Sequence, residues 1–178
     1  MDQIGIVKWA NSLYNSPILC ILKKQGQGLR VVRDFREINK QSNIEKYSMK
    51  EITHCIGDIG RANSTIFSLL DLTSGFWQMQ LEEKSQPLTA FPIPGQGHYQ
   101  WITLPMVLLG CQASFQCLME GVLRNIFNVI VYIDDLLVHT ETHEDHLQVL
   151  DKVLQCLQQN SLKINLDKCF LATKKFHI

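Results

Sequence analysis

The chain lacks several features that would assign it to a specialised class of protein. Its 178 residues contain no CxxC pair, no internal repeat and no low-complexity tract. No apolar run reaches the roughly 20 residues that a membrane-spanning helix needs, and the first residues lack the basic-then-apolar pattern of a secretory signal. We therefore expect a protein that works inside the cell, in the cytoplasm, and does not enter a membrane.

The six cysteines are scattered through apolar segments. Zinc sites and disulfide frameworks have recurring short spacings, whereas isolated cysteines in apolar surroundings are typical of buried free thiols. We therefore expect buried free thiols rather than a metal site or disulfides. Their positions are 20, 55, 111, 117, 156 and 169.

Charge is balanced over the whole chain but divided unevenly along it. Lys and Arg number 17, as do Asp and Glu, so a net charge of zero gives no sign of a general nucleic-acid binder. Residues 1–50 nevertheless carry nine basic and four acidic side chains, whereas the remainder carries eight and thirteen. Such a chain can attract phosphates with one part and hold metal ions with another, although solvated charged faces explain the same counts.

The remaining composition indicates one folded domain of the α+β class. Because 46% of the residues are hydrophobic, the chain can bury a sizeable core. Apolar periodicities of strands and helices follow one another along the chain. Strands or hairpins are predicted at 16–24 with 29–35, 65–71, 76–83, 88–94, 98–105, 129–139, 162–169 and 174–178. Helices are predicted at 47–60, at 113–127 and from Thr142, which opens a capping box with Asp145, to near Asn160.

Three aspartates stand at the ends of apolar β segments. Asp71 closes TIFSLLD, and Asp134 with Asp135 interrupts VIVYIDDLLVH at 129–139. Acids often mark a hairpin turn, but the favoured two-residue turns place glycine after Asp or Asn, and here leucine follows. Adjacent carboxylates repel each other unless a cation lies near, and their oxygens suit Mg²⁺. The pattern predicts a two-metal site in which Asp134 and Asp135 face opposite ways unless a tight hairpin bends one inward.

Four stretches, in this order and spacing, resemble a reverse transcriptase. They are RVVRDFREINK at 30–40, FSLLDLTSGFWQMQL at 67–81, the LP, ASFQ and VLR segments within 104–124, and YIDD at 132–135. The stretch HYQWITLP at 98–105 and the aromatic run after DLTSG resemble gypsy-type long-terminal-repeat retrotransposons more than retroviruses. The resemblance covers nearly the whole chain.

This resemblance implies a polymerase palm and fingers, with helices packed on one face of an antiparallel sheet. The fingers are expected near residues 1–60 and 82–112, and the palm near 61–81 and 113–178. The expected chain is a truncated piece of a retrotransposon Pol polyprotein, with no thumb and no ribonuclease H segment among its residues.

The resemblance also implies an RNA-directed DNA polymerase that works by two-metal catalysis. Asp71, Asp134 and Asp135 match the catalytic, metal-binding aspartates of the family, and the backbone of Leu72 is expected to add a ligand. The implied cofactor is a pair of Mg²⁺ ions, with Mn²⁺ as a possible substitute. The implied partners are an RNA or DNA template with its primer and deoxynucleoside triphosphates, whereas the oligomeric state is left open.

Further residues match family positions around the nucleotide and the template. Arg30 and either Lys23 or Lys24 match the positions that bind the triphosphate, and the planar guanidinium of arginine suits phosphate oxygens. Phe76 matches the aromatic residue that crowds the sugar 2′ position. The same residues also fit a simpler interpretation, since strand-edge cations are often solvated and apolar aromatics usually lie in a core. Gln116 and Arg36 match positions near the nucleotide and the template, respectively.

Two residues depart from the pattern of the family. Val107 stands where the family commonly has glycine, and Gln112 stands where it commonly has proline. If that glycine serves a positive φ or a close backbone approach, valine costs about 1 to 3 kcal/mol or blocks substrate. Proline at a helix start is favourable but replaceable, so Gln112 is the milder change.

Other interpretations stay open at this stage. A catalytically inactive remnant, or a nucleic-acid-binding module that keeps only the fold, explains Val107 and the expected lack of a thumb. A metal-dependent nuclease or nucleotide cyclase with a similar palm explains the acids but not the other matching segments. The histidines at 139, 143 and 146 have metal-ligand spacing, but we expect a solvated helix start there, since no acid or cysteine partner is fixed nearby.

Overall fold

The computed structural model describes residues 5–22, 29–42 and 51–174, with backbone only at 19–22 and 29–32. The described elements in chain order are β1 Val7–Trp9, β2 Ile18–Leu22, β3 Leu29–Arg33, α1 Arg36–Gln41, α2 Ile52–Arg61, β4 Ile66–Asp71, β5 Phe91–Ile93, β6 Gly97–Trp101, α3 Cys111–Val122, β7 Val129–Tyr132, β8 Asp135–Thr140, α4 His143–Gln159 and β9 Phe170–Thr173. This mixture of helices and antiparallel strands confirms the predicted α+β class. The chain divides into two compact units, one of residues 1–45 with 76–111 and one of residues 46–75 with 112–178.

The first unit contains two antiparallel sheets. One has the strand order β1-β6-β5, and the other is the hairpin of β2 and β3 that the sequence predicts. Its core contains Phe35, Phe91 and Trp101, each at most 6% exposed. The guanidinium of buried Arg33 lies 3.0 Å from the centroid of the Phe91 ring, and such cation–π contact offsets part of the cost of removing the charge from water.

One strand prediction in this unit is wrong, and another is confirmed only in part. The stretch 76–83 contains the end of a 3₁₀ turn, Gly75–Gln78, and Gln80 forms only an isolated bridge with Thr103. The stretch 88–94 begins in a second 3₁₀ turn, Gln86–Thr89, and only Phe91–Ile93 forms a strand. Apolar runs of this length do not distinguish a strand from a buried turn, because both structures bury apolar side chains.

The second unit is a four-stranded sheet with the order β7-β8-β4-β9. Side chains of β4 alternate in burial, with Ile66, Ser68 and Leu70 turned inward. Helix α4 packs against β8 and β4 and buries Val153 and Leu157. The predicted cap at Thr142 is confirmed, because Thr142 Oγ1 accepts a hydrogen bond from the backbone N–H of Asp145 at 3.2 Å.

The closing segment differs from the predicted strand at 162–169. Residues 162–169 contain a 3₁₀ turn, Leu166–Lys168, and pair with the chain after β4 through an isolated bridge between Ile164 and Leu72. The strand that completes the sheet is β9, and residues 175–178 lie outside the described part of the chain.

The five cysteines with described side chains form no disulfide with one another. Cys55 and Cys111 are buried, whereas Cys117 is exposed, so the expectation of burial is wrong for Cys117. Within the described ranges, none of the helices has the length and apolar character that a bilayer crossing requires.

Candidate catalytic site

The three aspartates come together in the second unit, where β4 pairs with β8. The antiparallel register sets Asp71, the last residue of β4, opposite Asp135, the first residue of β8. Asp134 immediately precedes β8, and its carbonyl accepts a hydrogen bond from the Leu72 N–H at 3.3 Å. The predicted meeting of the two strand ends is therefore present.

A two-residue turn joins β7 to β8 and presents Asp134. Tyr132 pairs with Asp135, so only Ile133 and Asp134 lie between the strands. Ile133 has a φ of 55°, which is rare for a β-branched residue because its side chain crowds the backbone. The acids thus mark a hairpin turn and also lie at paired strand ends, whereas the two-metal site stays a prediction.

Gln116 of α3 ties this turn to the helix. Its Oε1 accepts a hydrogen bond from the Ile133 N–H at 2.9 Å, and its Nε2 donates to the Val131 carbonyl at 2.8 Å. The same Nε2 donates to Glu120 Oε1 at 2.8 Å, and Gln116 is 2% exposed. In this structure the amide therefore has protein partners, and its expected contact with a nucleotide stays a prediction.

Gly75 leaves space beside the Asp134 carboxylate. A Cβ atom at position 75 would lie 3.2 Å from Asp134 Oδ1 and 3.0 Å from Phe115 Cζ. That Oδ1 is buried and has no hydrogen-bond partner. A buried carboxylate oxygen without a partner is costly, so the Asp134 carboxylate suits a ligand that supplies positive charge.

The electrostatics of the cluster also favour a cation. Burial raises the pKa of Asp134, and the negative charges of Asp135 and Asp71 raise it further. The pKa of Asp135 is likewise raised, first by burial and then by Asp71. Lys168 opposes both shifts, and its Nζ lies 3.6 Å from Asp71 Oδ2.

The segment that carries Lys168 is fixed to the end of β4 by backbone hydrogen bonds. The N–H of Asn165 donates to the Asp71 carbonyl at 2.8 Å, and the N–H of Thr73 donates to the Lys163 carbonyl at 3.0 Å. Sequence reasoning missed Lys168, because LDKC carries no motif and Asp71, its partner, lies almost a hundred residues earlier in the chain.

The donor set fits Mg²⁺ bound together with substrate. Among the described residues, no three His, Cys, Asp or Glu side chains form a group that could hold a metal ion alone. In proteins, Mg²⁺ usually keeps several waters and is bound by one or two carboxylates together with the phosphates of a substrate. The unbonded Oδ1 of Asp134, the space at Gly75 and the ammonium group beside Asp71 agree with that type of site. The role of the Leu72 backbone as a ligand stays a prediction.

The remaining predicted site residues belong to the first unit. Phe76 is 4% exposed, so it is buried as a core aromatic would be. The side chain of Arg36 is 82% exposed and pairs with Asp34 at 2.5 Å, and this contact lowers the pKa of Asp34 to about 2. Arg30 lies in β3, but its side chain, like Lys23 and Lys24, is outside the described part.

The two departures from the expected pattern are mild in the structure. Val107 is 46% exposed and is not among the residues with positive φ, so the expected backbone strain is absent. Its carbonyl accepts a hydrogen bond from Asn39 Nδ2 at 3.1 Å. Gln112 is exposed in the first turn of α3, where proline is dispensable.

The expectation of solvated histidines is wrong at two of three positions. His139 is 3% exposed and His146 is 0% exposed, whereas His143 is exposed. His139 Nδ1 lies 2.8 Å from Ser64 Oγ, and His146 Nε2 lies 2.6 Å from Ser68 Oγ. Both histidines are satisfied by hydroxyl groups, and burial lowers the pKa of each.

Comparison with known proteins identifies the family. Residues 21–178 match the family described as reverse transcriptase (RNA-dependent DNA polymerase). The chain belongs to the reverse transcriptase family. This reverse transcriptase chain is 36% identical to the retrovirus-related Pol polyprotein from transposon opus of Drosophila melanogaster, over 97% of the chain and 18% of the polyprotein. It is 33% identical to that from transposon gypsy, over 92% of the chain and 16% of the polyprotein.

Solved structures of reverse transcriptases share the fold. The protease-reverse transcriptase of prototype foamy virus, as a mutant, superposes with a TM-score of 0.84 at 31% identity, over 95% of this chain and 22% of that one. A foamy viral protease-reverse transcriptase in complex with an RNA/DNA hybrid has a TM-score of 0.79 at 29% identity, over 94% of this chain and 22% of that one. The reverse transcriptase chain thus spans less than a quarter of each of these proteins, and the predicted family and fold are confirmed.

Proposed function

We propose that this reverse transcriptase domain performs RNA-directed DNA synthesis by two-metal nucleotidyl transfer, as one part of a retrotransposon Pol polyprotein. The observation that carries the proposal is the cluster of Asp71, Asp134 and Asp135 at paired strand ends, with one buried carboxylate oxygen left unbonded. Reverse transcriptases generally use divalent metal ions.

The residues of the chain prepare this site before any ligand arrives. Asp71 and Asp134 supply the carboxylates that hold the ions, Asp135 adds negative charge next to them, and the Leu72 backbone adds an oxygen. When bound, the two ions activate the primer 3′-hydroxyl and neutralise charge on the triphosphate. Gly75 keeps the space beside Asp134 Oδ1 open, and Lys168 reduces the repulsion among the acids.

The nucleotide and the template are proposed to bind basic residues of the first third of the chain together with Phe76 and Gln116. Arg30 and Lys23 or Lys24 contact the triphosphate, Phe76 selects deoxyribose, and Gln116 lies next to the nucleotide. Arg36, which is largely exposed, contacts the template. In this proposal the fingers occupy residues near 1–60 and 82–112, and the palm occupies the rest.

The proposed partners are a template–primer duplex and deoxynucleoside triphosphates. Support comes from the foamy viral enzyme of similar fold, whose structure was determined with an RNA/DNA hybrid. The nine basic side chains within residues 1–50 also suit the phosphates of such a duplex.

Primer extension on a poly-rA template with an oligo-dT primer tests the proposal. The purified chain is assayed with Mg²⁺ or Mn²⁺ beside Asp134→Asn, and Asp151→Asn serves as a matched control on α4. We expect little processive extension by the wild type and by Asp151→Asn, and a further loss of at least about 100-fold in Asp134→Asn, because an active-site carboxylate is removed.

Duplex binding, measured in parallel by fluorescence anisotropy, distinguishes the alternative. A wild-type chain that binds the duplex but does not extend the primer with either metal would be an inactive remnant that keeps a nucleic-acid-binding fold. Extension that persists in Asp134→Asn would refute the proposed role of the aspartates.

A further inference from the structure

The turn that presents Asp134 has an unfavourable backbone conformation, and the side chain of Gln116 binds the backbone of this turn. Ile133 has a φ of 55°, and neither glycine nor asparagine occupies the position. A β-branched residue in this region reverts to negative φ unless the surrounding contacts prevent it. The structure therefore has to supply those contacts.

Gln116 supplies two such contacts, both on the N-terminal side of the Ile133 Cα atom. Its Oε1 binds the N–H of Ile133, and its Nε2 binds the carbonyl of Val131, two residues earlier. The amide thus fixes the last peptide groups before Asp134. Because a carboxamide carries an acceptor and donors in one plane, an apolar side chain of equal length cannot do the same.

The orientation of the amide is itself determined. Glu120, one turn later in α3, accepts a hydrogen bond from Gln116 Nε2 at 2.8 Å. That contact leaves Oε1 directed at Ile133, so the amide cannot flip without losing its bonds to both Glu120 and Val131. A residue that only filled the core would not need this arrangement.

We infer that Gln116 is a positioning residue that clamps Ile133 in its left-handed conformation and thereby fixes the Asp134 carboxylate for a divalent cation. This inference rests on the proposed function of the aspartates and adds a role for α3 in forming the cation site. Gln116 acts through the backbone of the turn and does not need to touch the cation.

Mn²⁺ binding to the purified chain, followed by electron paramagnetic resonance, tests the inference without any polymerase assay. Gln116→Met keeps the length of the side chain but removes its hydrogen bonds. We expect Mn²⁺ affinity to fall about tenfold or more, as is typical when the partner of a metal ligand is lost. Gln112→Met, an exposed glutamine on the same helix, is the matched control and should change the affinity less than twofold, roughly the additivity error for distant sites.

A double-mutant cycle separates clamping from general stabilisation. Ile133→Asn places a residue that tolerates positive φ in the turn, so the clamp becomes less necessary. In that background we expect Gln116→Met to reduce Mn²⁺ affinity by no more than about threefold. An equal loss in both backgrounds, or no loss in either, would overturn the inference.

Two further measurements complete the test. If Gln116→Met does not fold, as judged by circular dichroism, Gln116→Glu replaces it, and this variant keeps the acceptor for Ile133 N–H. We expect Gln116→Glu to retain slow hydrogen exchange at Ile133, and fast exchange there would overturn the clamp. Asp134→Asn must abolish the binding of Mn²⁺ to the chain, since binding that persists would overturn the inference.

The inference and the proposed function can fail separately. Coupling between Gln116 and Ile133 in Mn²⁺ binding, without primer extension, would support the clamp and refute polymerase activity. Extension that depends on Asp134, with unchanged Mn²⁺ affinity in Gln116→Met, would refute the clamp alone.

Discussion

At the scale of single residues, Asp134 lies in an environment that disfavours its own charge. Burial and two neighbouring aspartates raise its pKa, and its Oδ1 has no hydrogen-bond partner. Functional sites often retain such destabilising groups because the ligand, rather than the protein, satisfies them.

Replacing this carboxylate is therefore expected to stabilise the metal-free chain. A raised pKa means that the folded state binds the proton more tightly than the unfolded chain does. The stability that the protonated Asp134 gives the wild type is therefore lost as the pH rises through the folded pKa. Asp134→Asn should raise the free energy of unfolding by about 1 kcal/mol at pH 7.5, and the gain should shrink toward pH 4 as wild-type Asp134 is protonated. Urea denaturation without divalent ions measures this. A variant less stable than the wild type at pH 7.5 would contradict it.

Gly75 is expected to tolerate no side chain. In Gly75→Ala the new Cβ meets Phe115 and Asp134 at 3.0 and 3.2 Å, so the ring or the carboxylate must move. We expect a loss of about 1 to 3 kcal/mol in unfolding free energy, together with weaker Mn²⁺ binding. The matched control is Gly121→Ala in α3, where no atom lies within 4 Å and the change should stabilise the helix by up to about 1 kcal/mol. Equal behaviour of the two variants would show that the space at Gly75 is irrelevant.

At the scale of elements, buried hydroxyl and imidazole groups join α4 to the sheet. Thr140 Oγ1 donates to the Thr142 carbonyl, so His146 Nδ1, 3.0 Å away, must be the donor to Thr140. His146 Nε2 then accepts from the Ser68 hydroxyl, whose oxygen accepts from the N–H of Ala172 in β9. Every group has a partner when the imidazole is neutral, in agreement with its lowered pKa.

This network predicts a pH-dependent attachment of α4. Because burial lowers the pKa of His146 below its ordinary 6.5, the unfolded chain takes up a proton first as the pH falls, and stability is lost from about pH 6.5 downward. His146→Leu should cost about 2 kcal/mol at pH 7.5, since the Ser68 hydroxyl loses its acceptor, and this deficit should narrow at pH 5.5. Urea denaturation at both pH values, with exposed His143→Leu as the control, checks the prediction. A deficit that widens on acidification would contradict the neutral assignment.

At the scale of the whole molecule, attraction to a nucleic-acid duplex depends on how charge is distributed along the chain more than on the net charge. The net charge is zero, yet residues 1–50 carry an excess of five positive charges. Each basic residue that neutralises a phosphate contributes about 0.9 to the slope of log affinity against log salt concentration for B-form DNA. Attraction to a duplex should therefore depend on this segment.

We expect binding to an RNA/DNA hybrid to weaken linearly with salt on this logarithmic scale. Arg36→Gln should weaken binding and reduce the slope by about one, because one phosphate contact is lost. Lys152→Gln on α4 removes an exposed charge outside the basic segment and should leave the slope unchanged. Anisotropy titrations at several salt concentrations measure both slopes. Equal slopes in all three proteins would exclude Arg36 as a template contact.

The sequence by itself determined the family, the α+β class and most element positions. Continuous apolar periodicity and the Thr142 cap predict helix α4 from local sequence. The family motifs single out Asp71, Asp134 and Asp135 as candidate site residues without any knowledge of how the strands pair. Predictions from short apolar runs failed, as at 76–83, because burial alone does not distinguish a strand from a turn.

Only the tertiary structure decided what surrounds the aspartates. Lys168 reaches Asp71 because backbone pairing joins segments almost a hundred residues apart, and Gln116 reaches Ile133 because α3 packs beside the hairpin. His146 is buried rather than solvated because its helix face meets Ser68 across the sheet. Contacts of this kind depend on the positions of distant segments in space, which no local pattern encodes.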